Sequence, residues 1–430
     1  MNRSRLYPAA AMICLAVLGL LSAGSAPPKD GEAKDQAAEK LFDIDPAHPW
    51  NHLHQLFYVR QVGKGRTYIH QGPDAPFGRQ GPFLIEGPSH DRTLKTLDAF
   101  LRSKDDERIK DSLKRAILQR DLWYVFDKLA ETPSFGWNDD PIEDKQPQRR
   151  AVQKRLAQVM RRLEQSATRL KTLPDNYAVA VKSAAFPTKF DPKNPKKSYL
   201  PADLRVDGKG DWVLVSRPDR GRGTGLAAPA HAKFVEGKAI FLSFLRLPGG
   251  RKATEDYIDR LPPPPCPDKD FPPLPNGTQM ALVRRMLLPD DLGRLQATPV
   301  TENVQFRIFP KGDEQHFFEF TLDRTGLLSG HGGLRPIGPD DGHYFGFGGD
   351  YSRGDPFAGK ELPQPRPILL DCKGCHRPKA LFSINTFGFN LIEGYQGAAR
   401  TDFTAQLRDT VDLKKSYSWG LLQGLRETTP

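Results

Sequence analysis

The sequence predicts an α+β protein: a helical N-terminal region packed on a β-rich, antiparallel sandwich or barrel-like region, followed by a loop-rich C-terminal segment. Three observations carry that reading. Between residues 94 and 170, apolar side chains recur every three or four positions, the period of a helix buried along one face. From about Phe186 the pattern changes to short β-branched and aromatic runs bounded by Gly, Pro and Asp. The C-terminal stretch is dense in glycine and aromatic residues and has neither period.

Taken in order, Arg3 and Arg5, the apolar run Ala9–Leu21 and the small residues Ser22–Ala26 read as an export signal over 1–26. The charged stretch 27–40 reads as a flexible linker. A mostly helical region is expected over 41–185. Its first half is irregular apart from one short helix around His54. Two helices follow, one on Leu94, Leu97, Phe100 and Leu101, the other on Ile109, Leu113, Ala116, Ile117, Val125 and Phe126. Val152, Leu156, Val159, Met160, Leu163 and Leu170 mark the next. Arg149, Arg155, Arg161, Arg162 and Arg169 sit on its other side, which reads as a solvated face. Pro174 opens a last short helix through Tyr177 and Val181.

The β-rich region is expected over 186–345, with strands at Trp212–Val215, Ala239–Leu242, Met280–Val283, Val304–Ile308 and Phe317–Phe320. Phe306 and Ile308 against Gln305 and Arg307 give the cleanest alternation. A helix at Ala253–Leu261 interrupts the strands and stops at the stiff run Pro262–Pro265, with Cys266 after it. The segment 346–430 is expected to be loop-rich and to end in two short helices, Phe403–Leu407 and Trp419–Leu425.

Hydrophobic residues form 38% of the chain and charged residues 27%, enough to build a packed core. The formal charge of +11 falls to +9 once residues 1–26, with two arginines, are removed. A basic exported protein suits acidic partners, including acidic redox proteins. No basic motif interleaved with aromatics suggests nucleic-acid binding. After signal removal no segment approaches the length of a membrane span. Three cysteines remain in the mature chain, Cys266, Cys372 and Cys375, too few for a disulfide-stapled scaffold.

Two of those cysteines sit beside a histidine, in Asp371-Cys372-Lys373-Gly374-Cys375-His376-Arg377-Pro378. Cys-x-x-Cys-His is the attachment pattern of c-type haem. Two thiols separated by one tight turn reach the two vinyl groups on one porphyrin edge, and the next histidine supplies the proximal nitrogen to iron. Cys372, Cys375 and His376 are therefore the expected haem c site. A local disulfide, a redox-active pair or a zinc site with a remote ligand are the competing uses of the same residues. No methionine follows Met286, which removes the downstream Met ligand of small cytochromes c. The sixth position then falls to an upstream histidine, to another group, or stays open, and an open position suits peroxide or small-ligand chemistry. His48, His52 and His54 cluster, while His316, His331 and His343 lie nearer the motif in sequence.

Several segments carry a resemblance: Phe42–Asn51 with His54 and Val59-Arg60, Arg115–Trp123, Leu173–Tyr177 and Leu245–Thr254. With the late Cys-x-x-Cys-His they resemble, in consistent order, an uncharacterised family of exported proteins common in planctomycete-type bacteria. The resemblance implies export and a c-type haem, brings no activity with it, and puts His54 and His48 ahead of His52 as distal candidates. The family's motif is often followed by a Ser/Gly-rich stretch, whereas this chain has Arg377-Pro378-Lys379-Ala380.

Other chemistry leaves little trace. Gly63-Lys64-Gly65 and Gly221–Gly225 lack the strand–helix context of a phosphate loop, and Asp340, Asp341, Asp350 and Asp355 fit no calcium-loop spacing. Two functional expectations remain. One is an exported monohaem c-type cytochrome-like protein for electron transfer or redox chemistry, with a redox partner protein or, as a variant, peroxide reduction. The alternative is a non-haem envelope binding or structural protein, in which Cys372–Cys375 is a disulfide staple.

Overall fold

A computed structural model describes residues 41–62, 66–74, 82–85, 87–130, 145–216, 225–261, 272–311, 315–338, 341–343, 366–367, 369, 376 and 398–428. The expected signal and linker, Gly63-Lys64-Gly65, Pro262–Cys266, most of the glycine-aromatic stretch after His343, and both Cys372 and Cys375 lie outside these residues.

Helix α1 (Pro49–Tyr58) lies near the start of the described residues. Here the segment Phe42–Asn51 has a local structural job. Asn51 accepts from the Asp43 amide at 2.7 Å and donates to the carbonyls of Asp43 and Asp45, folding the chain back on itself. His48 caps the helix, its Nδ1 accepting from the Trp50 amide at 3.3 Å, and Pro49 takes the first turn, where no amide proton is needed. A hairpin follows, β1 (Val59–Val62) with β2 (Arg66–Ile69), in a stretch expected to be irregular. Its four-residue strands are too short to show a period in the sequence.

Seven more helices come next among the described residues: α2 (Pro82–Ile85), α3 (Gly87–Arg102), α4 (Asp105–Arg108), α5 (Ser112–Ala130), α6 (Gln146–Leu163), α7 (Ala167–Lys171) and α8 (Asn176–Lys182). Helices α1, α3, α5 and α6 share one apolar core with Trp50, Phe57, Leu97, Phe126, Leu156 and Met160 inside it. Of the arginines expected on a solvated face, Arg161 and Arg169 are exposed, whereas Arg149, Arg155 and Arg162 are engaged by the fold. Arg155 forks onto Asp98 of α3 at 2.7 and 3.1 Å, Arg162 donates to the carbonyls of Phe100 and Ser103, and Arg149 is buried. The Arg162 head thus serves carbonyls at the C-terminal end of α3, while Arg155 also donates to the Ala151 carbonyl of its own helix.

The β-rich region is one seven-stranded antiparallel sheet, in line with the predicted α+β class. Its strands are β3 (Val213–Ser216), β4 (Ala239–Arg246), β5 (Thr278–Pro289), β6 (Leu295–Phe309), β7 (His316–Leu322) and β8 (Leu334–Pro336), with β11 (Ala399–Arg400) at the β3 edge. Between them lie helices α9 (Pro229–Phe234), α10 (Gly250–Asp259) and α11 (Arg324–Leu328), and a separate two-residue pair, β9 (Gly342–His343) with β10 (Arg366–Pro367). Pairing register assigns residues to faces. The rows Leu214–Phe244–Ala281–Phe306–Phe318 and Leu242–Val283–Val304–Phe320 form an apolar face, covered by Tyr177, Tyr199, Leu204 and Trp212. The rows Ser243–Leu282–Gln305–Glu319 and Phe241–Arg284–Asn303–Thr321–Arg335 form the polar part of the other face, while toward β3 the same face is apolar, with Val213, Val215, Leu245 and Met280 packed against Tyr257 and Ile258 of α10.

Two helices close the chain, α12 (Phe403–Lys415) and α13 (Trp419–Arg426). Helix α12 runs well beyond the expected Leu407, because the face it buries is polar and leaves no apolar period to read. Gln406 accepts from the Ala227 amide and donates to the Gly225 carbonyl, Asp409 accepts from the Gly225 amide, and Lys414 pairs with Asp127 of α5. Helix α13 packs on α6, where Arg426 pairs with Glu164. Among the described residues no helix is long and apolar enough to cross a membrane.

Candidate functional site

His376 is the described member of the Cys-x-x-Cys-His motif, and it is half-buried. Its ring lies 6.2 Å, centre to centre, from that of His231, with the two planes within 14° of parallel. On its other side Phe317 of β7 stands 6.2 Å away. His231 in turn rests on Phe241 of β4 at 5.7 Å. The pair of imidazoles therefore bridges from β4 to β7 across the polar face, over the intervening strands that carry Leu282, Arg284, Asn303, Gln305 and Arg307.

Local structure explains how His231 comes to be there. Pro229 starts α9 at its first turn, and the helix lasts a single turn and a half. Glu236 and Gly237 then both adopt positive φ, 50° and 69°, which reverses the chain directly into β4. A Cβ on Gly237 would stand 2.9 Å from the backbone nitrogen of Lys414, so this turn is also locked against α12. Ala232 and Val235 pack with Leu226, Ala239 and Phe241, which fixes the orientation of α9 on the sheet. Burial, with the Arg284 charge as a lesser cause, holds the His231 pKa down at about 4, so its imidazole is neutral at ordinary pH.

The two distal candidates from the sequence sit elsewhere. His54 is wholly buried in α1, its ring between Trp50 at 5.3 Å and Tyr58 at 5.5 Å, with Phe42 edge-on at 5.7 Å. Neither of its ring nitrogens has a hydrogen-bond partner among the described residues. Burial first, then the charges of Arg324 and His70, push its pKa well below 6.5. His48 is committed to capping α1, and its Nε2 lies 3.3 Å from the Arg108 carbonyl. The ring contacts of His376 and those of His54 share no residue. His316 stacks near Phe190, at 5.7 Å, beside the apolar face.

A second polar constellation lies at the junction of helices and sheet. Arg284 forks onto Asp74 at 2.8 and 2.7 Å and donates to Glu302 at 2.7 Å. Arg120 of α5 donates to the same Glu302 at 2.8 Å and reaches Asp74 at 3.2 Å. Nearby, Arg324 forks onto Asp121 at 2.8 and 2.7 Å while its guanidinium lies 3.8 Å over the Tyr58 ring. Burial raises the Asp74 carboxyl, but the charge and hydrogen bonds of Arg284 together with the charges of Arg120 and Lys238 outweigh it and leave the group below its usual range. Three guanidiniums and three carboxylates match one for one. The network is thus internally neutralised and serves as a joint between α5, the segment after β2, and the sheet. Among the described residues no cluster of three or more His, Cys, Asp or Glu is placed to hold a metal ion.

Two imidazoles whose ring centres lie 6.2 Å apart have room to share one metal ion, with each nitrogen about 2 Å from it, and are too far apart to share a proton directly. The sequence marks His376 through its neighbouring cysteines. It does not mark His231, which lies outside every motif and becomes a neighbour of His376 through the sheet; its one local signal is the Pro-Ala-His turn entering a buried strand. No protein-family model matches the chain, nor does any curated protein or solved structure.

Proposed function

We propose that the protein is an exported monohaem c-type cytochrome-like protein serving electron transfer or redox chemistry. The observation that carries this reading is Cys372-Lys373-Gly374-Cys375-His376, whose histidine lies beside a second imidazole, that of His231 on α9. Cys372 and Cys375 would hold the porphyrin through thioethers, and His376 would be the proximal ligand. The haem would supply a one-electron couple. The chain's own contribution is a covalent tether, a neutral imidazole near the proximal ligand, and aromatic rings that fix both histidines. The export signal supports the same reading, since haem attachment of this kind takes place outside the bacterial cytoplasm. A redox protein partner with an acidic surface would suit the basic mature chain.

The test is a pyridine haemochrome spectrum and haem stain on protein exported with a c-type maturation system, beside a Cys372→Ala, Cys375→Ala double variant. Covalent haem in the wild type and none in the double variant is the expected result. Absence of haem from both overturns the proposal and leaves the disulfide-stapled envelope protein as the reading to pursue.

A further inference from the structure

We propose that His231 is the second axial ligand of the haem iron, opposite His376; this rests on the c-haem reading above. A ligating imidazole nitrogen stands about 2 Å from a first-row metal ion, and its ring centre about 1 Å further out, so two imidazoles on opposite sides of one iron have centres roughly 6 to 7 Å apart. The observed separation is 6.2 Å, with ring planes 14° from parallel.

The surroundings make the pair a built one. The His231 ring is backed by Phe241, and the helix that carries it is held by the Glu236–Gly237 turn against Lys414. Phe317 lies against His376 from the other end of the sheet. The competing histidines are otherwise engaged: His54 is enclosed by three aromatic rings, His48 caps a helix, and His316 lies by the apolar face. No methionine follows Met286.

Occupation of both axial positions has a functional consequence. A six-coordinate iron has no position open to peroxide or oxygen, so the site is suited to passing electrons rather than to turning over a small oxidant. Two imidazoles also place the couple below that of a His–Met haem.

The experiment compares the exported wild type with His231→Ala and His54→Phe. A pyridine haemochrome is taken on each sample first, because it reads covalent attachment whatever the axial ligands are. The expected wild type is low-spin in the ferric state and binds no carbon monoxide when reduced. His231→Ala should lose the low-spin spectrum and gain carbon monoxide binding, and added imidazole should restore the low-spin form. His54→Phe should match the wild type. Haem attached but high-spin in the wild type, or a low-spin spectrum surviving in His231→Ala, overturns the assignment while leaving the c-haem reading intact. Absence of haem from the wild type overturns both. Near-infrared magnetic circular dichroism of the ferric wild type needs no variant to fold: bands of two nitrogen ligands support His231, and those of any other pair overturn it.

Discussion

Along β6, Phe306 turns to one side of the sheet while Gln305 and Arg307 turn to the other, and the whole sheet follows them. The apolar face, with Phe244, Val304, Phe306 and Phe320, is filled by Tyr199 and Trp212 in the way that any core is filled. The opposite face carries Ser243, Arg284, Asn303, Gln305 and Glu319, and it is over this face that His231 and His376 meet. The strand period thus separates two jobs that would interfere if mixed. One face supplies cohesion through burial, which tolerates no unpaired polar group. The other keeps polar and imidazole groups beside one another on a surface made stiff by the core beneath it.

The comparison breaks most severely where the polar face depends on charge pairing. Glu302 serves both Arg120 and Arg284, so Glu302→Ala leaves two buried guanidiniums without that carboxylate. The expected cost is about 3 to 5 kcal/mol, read as a fall in the urea midpoint. A loss below about 1 kcal/mol would mean that Asp74 alone holds the joint. Phe306→Ala should cost about 3 to 4 kcal/mol through the cavity it opens, whereas Gln305→Ala, its neighbour in sequence on the other face, should cost less than about 1 kcal/mol. Equal losses for the two would refute the division of labour between faces.

Much of this architecture could be read beforehand, and the parts that could not have physical reasons. The five expected strands all occur, because runs such as Ala239–Leu242 and Phe317–Phe320 are apolar on both faces or framed by breakers. They extend further than expected, β6 to Leu295, because strand ends such as Leu295–Thr301 mix polar and apolar residues. Helix α12 was legible only at its start, since it buries Gln406, Asp409 and Lys414 rather than leucines. Arg155 and Arg162 look like solvated charge in the sequence, for nothing local tells that Asp98 and the end of α3 lie within their reach. His376 announces itself by two nearby cysteines, but its partner on α9 is set by register across four strands and by a two-residue turn. Those are tertiary facts, and no local pattern contains them.

His231→Ala sharpens the contrast from the functional side. The residue is half-buried, so its removal should change stability by less than about 1 kcal/mol, as judged by thermal melting, even while it alters the spectrum of the proposed haem. A histidine that only packs would leave that spectrum unchanged. His231→Ala and His54→Phe, both expected to shift stability little, are therefore told apart by the spectrum.

For His54 the expected effect is the smallest and its sign is informative. Its imidazole is enclosed by Phe42, Trp50 and Tyr58, and both nitrogens are buried without a hydrogen-bond partner among the described residues. Phenylalanine keeps the ring stack and removes two desolvated polar atoms, so His54→Phe should be neutral or should stabilise by up to about 1 kcal/mol at pH 7. The pH dependence follows from linkage. Burial and the Arg324 and His70 charges hold the folded-state pKa well below the 6.5 of the unfolded chain. Between those two values the unfolded state binds the extra proton. The stability that neutral His54 contributes is therefore complete above pH 6.5 and is lost as the pH falls toward the folded-state value. His54→Phe should flatten that acid decline, leaving the parts due to His70, whose pKa burial and Arg324 lower to about 3, and to His231, lowered to about 4. Urea midpoints at pH 7 and pH 5 for both proteins decide it: a variant that declines as steeply as the wild type would show that His54 reaches a proton acceptor or water, and that its enclosure is less complete than the ring stack implies.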